Sequence, residues 1–335
     1  MYNAAAAATY YRDKNVTITG GLGMIGSNLA RSLVDLGANV TIVDAMLAQF
    51  GGNHFNLSGY EDRIHLIAAD IRDRSATDSF ILNQHVIFNF AAQVSHNDSI
   101  RDPYSDAQIN YLGHLNVLES ARVNNPDVRI IYSGSRLQYG KVHSVPTSED
   151  HPLNPETPYA FNKTVAESMY RYYYRLHGID SVLFRITNPY GVRGQMKHSG
   201  YGIVNYFIGC AMRGEAISVF GDGSQIRDYI YISDLVDALV AAGASVAARG
   251  KVMNLGSGRG TSFREMAETV VRVVGRGSVS LVPWPKSYIN VETGDFIANI
   301  DLARNTLGWT PEILLEDGVR ITLHYYEQYG GHYFE

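Results

Sequence analysis

Thr19-Gly20-Gly21-Leu22-Gly23-Met24-Ile25-Gly26 decides the fold of this chain. The β-branched run Val16-Thr17-Ile18 leads into it, and a stretch of helical apolar periodicity over 24–36 follows, stopped by Gly37. Strand, glycine turn and helix in that order bring a tight backbone turn and a helix N-terminus together. Glycines let such a turn lie against a pyrophosphate, whose charge then meets the free N–H groups of the helix. The spacing is Gly-x-x-Gly-x-x-Gly rather than the commoner Gly-x-Gly-x-x-Gly, so the strand–helix context carries the assignment. A second strand, Asn39-Val40-Thr41-Ile42-Val43, ends in Asp44, 24 residues after Gly20. A carboxylate there accepts from the adenosine ribose hydroxyls and repels a 2′-phosphate, which favours NAD over NADP.

Outward from this unit the alternation continues. Apolar runs at 64–68, 86–90, 128–133 and 181–185 read as strands, and 106–124 and 159–177 as helices. Near-continuous apolar strands separated by helices indicate a parallel sheet covered on both faces. After Asn188 the pattern breaks: 191–202 reads as a loop, 214–234 as short strands and turns, and 252–256 as one more core strand. The expected fold is α/β, a Rossmann-type doubly wound parallel sheet with a smaller, discontinuous α/β C-terminal substrate lobe. The NAD domain is expected at 1–187 with 230–258, and the lobe at 188–229 with 259–335.

Composition narrows the partners. The 335 residues are 45% hydrophobic and 18% charged, with a formal net charge of −5, which gives no reason to expect a nucleic-acid partner. No apolar run reaches the ~18 residues of a membrane span. The start, Met1-Tyr2-Asn3 and then alanines to Ala8, lacks the basic region of a secretory signal and reads as a frayed tail or a lid over the first strand. The single cysteine, Cys210, excludes a disulfide framework and a Cys-based metal site. His54, His65, His85, His96 and His143 show no metal spacing and read as surface or packing residues, so no metal is expected. The expected location is cytoplasmic.

Tyr159 and Lys163 stand four apart at the start of a helical pattern and share one face. A phenol with a pKa of ~10 is a poor base at neutral pH. A cation one turn away, with the positive nicotinamide ring, favours the phenolate. Ser133 and Ser135 both follow the apolar strand at its C-terminal end, where α/β sheets place their ligands, and either hydroxyl can share the substrate's proton with Tyr159.

In these residues the chain resembles the extended short-chain dehydrogenase/reductase family, in its nucleotide-sugar epimerase/dehydratase branch, through nearly its whole length. The glycine loop, with Gly20, Gly23, Met24, Ile25 and Gly26, resembles the family's cofactor loop, and Asp70-Ile71 its adenine-contact pair. Phe90-Ala91-Ala92-Gln93 resembles the segment under the cofactor, and Asn110-Tyr111-Leu112-Gly113 the helix with the family's structural Asn. Ser133-Gly134-Ser135-Arg136-Leu137-Gln138-Tyr139-Gly140 and Pro158-Tyr159-Ala160-Phe161-Asn162-Lys163 resemble its catalytic motifs. The resemblance implies Ser135, Tyr159 and Lys163 as the catalytic set, with Ser133, Tyr159 and Lys163 also at the cofactor. Arg185-Ile186-Thr187-Asn188-Pro189-Tyr190-Gly191 resembles the segment crossing from cofactor to sugar nucleotide, which places Asn188 at the diphosphate. In Gly221-Asp222-Gly223-Ser224-Gln225-Ile226-Arg227-Asp228-Tyr229, Arg227 matches the Arg that grips the nucleotide phosphates.

The resemblance also implies a first step, in which Tyr159 takes the proton of a sugar 4-hydroxyl while the C4 hydride passes to NAD. Resembling dehydratases carry an Asp-Glu pair directly after the catalytic hydroxyl, and decarboxylases a nearby Glu. Here those positions are Arg136 and Leu137. Elimination then has no evident acid, and 4-epimerisation through a transient 4-keto sugar is the leading reading. Dehydratase, decarboxylase and 4-reductase are its alternatives on the same scaffold. A catalytically idle NAD-binding regulator is the alternative from another class, against which the intact Ser135, Tyr159 and Lys163 stand. Glu292 departs from the family, many members of which have Arg three residues before Asp295. Arg227 must then hold the diphosphate with help from Lys197 or Arg193, or the substrate is held differently. Lys197 and His198 are either solvated loop charges or partners of a uronic acid carboxylate. The helix with Tyr170, Tyr172, Tyr173 and Tyr174 and the one with Asn110 match the pair through which the family often forms homodimers, and the tyrosines are expected to pack, potentially against a second subunit.

Overall fold

Seven strands form one parallel sheet: β1 (Asn15–Thr19), β2 (Asn39–Asp44), β3 (Ile64–Ala68), β4 (Val86–Asn89), β5 (Arg129–Ser135), β6 (Ser181–Ile186) and β11 (Val252–Leu255). Their spatial order is β3-β2-β1-β4-β5-β6-β11. The direction of winding reverses between β1 and β4, which opens a crevice beyond their C-terminal ends, where Thr19 pairs with Val43 on one side and Asn89 on the other. The computed structural model describes residues 4–47, 50–285 and 291–334.

Strand side chains alternate between two cores, as period-2 geometry requires. Val16, Ile18, Phe88, Ile131, Val182 and Phe184 face one, and Val43, Ile87, Ile130, Tyr132 and Leu183 the other. The first is covered by α2 (Met24–Asp35) and α9 (Ile232–Ala244), through Leu29, Leu33, Leu235 and Leu239. The second is covered by α3 (Arg74–Phe80), α6 (His114–Asn124) and α7 (Pro158–His177), through Phe80, Val117, Leu118, Ala166 and Tyr170. Thr157 caps α7 by accepting from Ala160 N–H, Pro158 occupies its first turn, and Gly178 ends it in the left-handed region.

Two segments differ from the sequence reading, and the structure sharpens a third. Ala4–Tyr11 is a helix, α1, rather than a frayed tail, and the buried Tyr11 hydroxyl donates to the Val240 carbonyl of α9. Its alanines are strong helix formers, and Tyr11 gives them an anchor. Met1-Tyr2-Asn3 lie outside the described residues. The single helix expected over 106–124 is broken into α5 (Pro103–Ala107), a π-turn at Gln108–Gly113 and α6, and the π-turn carries the buried Asn110. Such turns concentrate at functional sites. In the tyrosine run, Tyr170 and Tyr173 pack inside their own core, while Tyr172 and Tyr174 stay exposed. Tyr170 stacks on Tyr132 and accepts from Asn89.

The chain leaves the sheet after β6 and returns to it at β11. Between and beyond these strands lie three small pairings: β7 (Asn188–Tyr190) with β10 (Tyr229–Tyr231), β8 (Ala216–Phe220) with β13 (Ser278–Val282), and β9 (Ile226–Arg227) with β12 (Thr261–Ser262). They stand with α8 (Ile203–Met212) and α10 (Phe263–Val274). No helix of the described residues is long and apolar enough to cross a membrane.

Candidate active site

A continuous cleft of about 640 Å³ runs from the glycine turn past Tyr159 to Arg227 and Thr293. One end is built for a dinucleotide. Gly20 sits at φ +68°, and a Cβ there would lie 2.9 Å from the Ala91 nitrogen. A Cβ on Gly26 would lie 2.5 Å from the Gly20 carbonyl oxygen, so helix and turn meet only because both lack side chains. Gly23 precedes α2 with no side chain capping it, which leaves the first N–H groups facing the cleft. The Thr19 hydroxyl accepts from Phe90 and Ala91 N–H at 3.0 Å each and donates to Asn89 at 2.6 Å, pinning the 90–91 segment under the turn. The Asp44 carboxylate is oriented by Leu22 N–H at 3.0 Å and Met46 N–H at 2.9 Å. Its remaining lone pairs line the cleft beside Gly52, where two ribose hydroxyls can donate. Asp70 and Ile71 line the same end, with Asp70 held by Arg72 at 2.6 Å. These residues fit NAD.

In the middle, β5 and α7 bring Ser133, Ser135, Tyr159 and Lys163 to the cleft wall. The Ser135 hydroxyl hydrogen-bonds Tyr159, whereas Ser133 presents its carbonyl to Lys163 Nζ at 3.0 Å. The two serines therefore separate by geometry: Ser135 is placed at the phenol and Ser133 at the ammonium. Burial pushes Tyr159 up to about 12, with Asp106 adding to the rise and the Ser135 bond opposing it. Burial likewise brings Lys163 down to about 8, against a rise from Asp106. The protein alone thus keeps the phenol protonated at neutral pH, contrary to the simple picture of a lysine that lowers it. Desolvation is the largest influence on each of the two groups.

Asp106 was not singled out from sequence. It is fully buried behind this pair and accepts from Asn162 at 2.7 Å, Gln93 at 2.8 Å and Asn110 at 3.0 Å. Gln93 and Asn110 are accordingly not on the cleft surface. They hold Asp106 and the 90–95 segment in place, Asn110 donating also to the Gln93 carbonyl at 2.9 Å. The sign that could have revealed Asp106 is its spacing, four residues before Asn110. His96 is also more than a packing residue. It lines the cleft, stacks on Tyr159 with ring centroids 5.8 Å apart, and is held down to about 4 by burial and by Arg136 and Arg227, so it is neutral.

The far end is charged. Arg136 is buried, donating from Nε to Asn188 Oδ1 and from Nη1 to Thr293 Oγ1, both at 3.1 Å. Arg227 is buried too, but its guanidinium is held by the Glu292 carboxylate and by the carbonyls of Ile226 and Gly294. Glu292, which departs from the family pattern, is thus the counter-ion of the family's phosphate-gripping position. Arg193 is tied to Asn28 at 2.7 Å, and Lys197 and His198 are exposed, so none of the three stands in the cleft beside Arg227. No group of His, Cys, Asp and Glu among the described residues could hold a metal ion.

A glycine-cradled dinucleotide crevice opening onto a serine, tyrosine and lysine defines an NAD-dependent enzyme that oxidises a carbinol carbon. Residues 16–256 match the NAD dependent epimerase/dehydratase family, and the chain belongs to it. It is 34% identical over 315 residues to the UDP-glucose 4-epimerase of Mycolicibacterium smegmatis, covering 92% of this chain and 97% of that protein. Among solved structures it is similar to the epimerase Mth375 of Methanothermobacter thermautotrophicus, with a TM-score of 0.91, 28% identity and coverage of 98% and 96%. A double mutant of DesIV, a dTDP-glucose 4,6-dehydratase of Streptomyces venezuelae with NAD bound, superposes with a TM-score of 0.85 at 25% identity, covering 95% and 98%. Fold alone therefore does not separate epimerase from dehydratase.

Proposed function

We propose that the protein epimerises C4 of a nucleoside-diphosphate sugar, a class to which the UDP-sugars of its epimerase relatives belong. The observation that carries this reading is the absence of an acid where elimination needs one. Of the carboxylates lining the cleft among the described residues, Asp44 and Asp70 belong to the cofactor end and Glu292 is bound to Arg227. NAD held by the glycine loop, Asp44 and the 90–92 segment would supply reversible hydride chemistry at C4. Tyr159 accepts the 4-hydroxyl proton, Ser135 steadies that oxygen, and the positive nicotinamide ring of bound NAD, with Lys163, would supply the charge that offsets the burial of the phenol. The 4-keto sugar then presents its other face, and Tyr159 gives the proton back. Ser135, Tyr159 and Lys163 are the catalytic residues of this scheme. The glycine loop, Asp44, Asp70-Ile71 and 90–92 serve the cofactor, with Gln93 and Asn110 supporting them from behind. Asn188 and Arg227 serve the diphosphate, which requires Glu292 to release Arg227.

The division of the chain follows the same roles, with 1–187 and 230–258 holding NAD and 188–229 and 259–335 holding the sugar nucleotide. Two features support a cytoplasmic homodimer. The lone thiol, Cys210, is buried, and α5, the π-turn and α7 present Tyr104, Leu112, Phe161 and Tyr172 to solvent on neighbouring helices. The test is to purify the protein, identify co-purifying dinucleotide, and incubate it with UDP-, GDP-, CDP- and dTDP-sugars. The expected products are 4-epimers with retained mass. Accumulation of a 4-keto-6-deoxy sugar or loss of CO₂ would overturn the reaction, and a monomer mass by light scattering would overturn the dimer.

A further inference from the structure

The chain buries four arginines among its described residues: Arg129, Arg136, Arg185 and Arg227. Three carry a carboxylate of their own. Arg129 has Asp180 at 2.8 Å, Arg185 has Glu167 at 2.6 Å, and Arg227 has Glu292. Arg136 has none within ion-pair distance among the described residues, and the undescribed internal residues, Ala48-Gln49 and 286–290, contain no Asp or Glu. Its Nε and Nη1 bond neutral oxygens, and its guanidinium lies 5.6 Å from the Phe296 ring. A guanidinium removed from water without a counter-ion is costly unless an anion is provided. Here the side chain opens onto the cleft, so the anion that suits it arrives with the ligand.

Position selects which anion. Arg136 directly follows Ser135, whose hydroxyl meets Tyr159. A pyranose whose 4-hydroxyl lies at that pair carries C1, and therefore its diphosphate, at the opposite end of the ring. The groups nearest the residue after Ser135 are those on C3 and C5. His96 reports the same neighbourhood, since it stacks on Tyr159 and feels the charge of both Arg136 and Arg227.

Resting on the epimerase reading, we propose that the substrate is a nucleotide-linked hexuronic acid and that Arg136 recognises its C5 carboxylate. A guanidinium with two edges already fixed by Asn188 and Thr293 is pre-oriented for a bidentate grip on a planar carboxylate. A neutral hydroxymethyl group in the same place leaves the buried charge unmatched, so the preference arises from the penalty on the wrong sugar as much as from the contact with the right one.

The test compares wild type with Arg136→Met and Arg136→Lys. Binding of UDP, UDP-glucose and UDP-glucuronic acid is measured by calorimetry, and turnover of each sugar is followed by chromatography. Wild type is expected to bind and turn over the uronate at least about 100-fold better than the neutral sugar. In Arg136→Met that ratio collapses toward one, while affinity for UDP changes by less than about threefold. Arg136→Lys keeps part of the ratio. Retained UDP affinity shows that Met at this site leaves the fold intact. Equal losses for UDP and both sugars would show that Arg136 serves the diphosphate and would overturn the proposal. A wild type that binds the neutral sugar as well as the uronate would overturn it too. Binding does not depend on turnover, so a protein that binds the uronate selectively but produces no 4-epimer would refute the epimerase reading and leave the recognition standing.

Discussion

The two walls of the cleft are built differently. The catalytic wall stands on regular elements, the end of β5 and the first turn of α7, and is backed by a closed network in which Asp106 takes donors from Gln93, Asn110 and Asn162. The sugar wall is assembled from a short strand, a loop and the turn after β5, and is held by long charged side chains: Arg136 to Asn188 and Thr293, Arg227 to Glu292 and Gly294. In the proposed reaction the first wall fixes atoms for the chemical step. The second sets a field, and its charges can change without disturbing the first. Reaction and specificity are thus written in separable parts of one site.

The sharpest way to break this division is at Tyr159. Tyr159→Phe removes the proposed proton acceptor and keeps the ring that stands at the cofactor, so turnover is expected to fall by about 10²–10⁴-fold. Co-purified NAD, read from the absorbance and mass of the released dinucleotide, should be unchanged. Activity within tenfold of wild type would show that another group is the base, and the neutral His96 stacked against the ring would be the first to examine.

Asp106 tests whether the network behind the catalytic wall is electrostatic or merely structural. Its charge raises both Lys163, which burial holds at about 8, and Tyr159, which burial pushes up to about 12. Asp106→Asn removes that influence, so both groups should titrate lower. The alkaline limb of kcat/KM, set by loss of the Lys163 proton, is expected to move down by about one unit. The amide also turns its NH₂ toward either the Asn162 donor or the Gln93 and Asn110 donors, so a stability loss of about 1–3 kcal/mol should accompany the shift. A lower melting temperature with the alkaline limb unmoved would make Asp106 structural only.

How much of each wall could be read from sequence follows from the same contrast. The glycine turn, Asp44 and the Tyr159–Lys163 pair sit at fixed local spacings on a strand–helix frame, where period and turn chemistry suffice. Choosing Ser135 over Ser133 needed a family resemblance, and the structure shows why spacing could not decide. Both serines end the same strand, but one presents a hydroxyl to the phenol and the other a carbonyl to the ammonium. Asp106 looked like an ordinary residue on a helix because two of its three partners, Gln93 and Asn162, come from other segments of the chain. The role of Glu292 was hidden for the same reason, since 65 residues separate it from Arg227 and only the fold joins them.

That last pair gives the smallest effect and the finest test of the sugar wall. The Glu292 carboxylate occupies the Arg227 guanidinium and also accepts Gly294 N–H at 2.9 Å, so an incoming diphosphate must displace it and meet its negative charge nearby. Glu292→Gln keeps the shape and the Gly294 bond through the amide oxygen while removing both the competition and the repulsion. Affinity for UDP is therefore expected to rise by about three- to tenfold, with the gain shrinking as salt is raised. The chemical step should not change, because no Glu292 atom contacts Ser135, Tyr159 or Lys163 in the described hydrogen bonds. Weaker UDP binding in this variant would mean that Glu292 holds Arg227 in its working position rather than blocking it, and the pair would then count as part of the phosphate site.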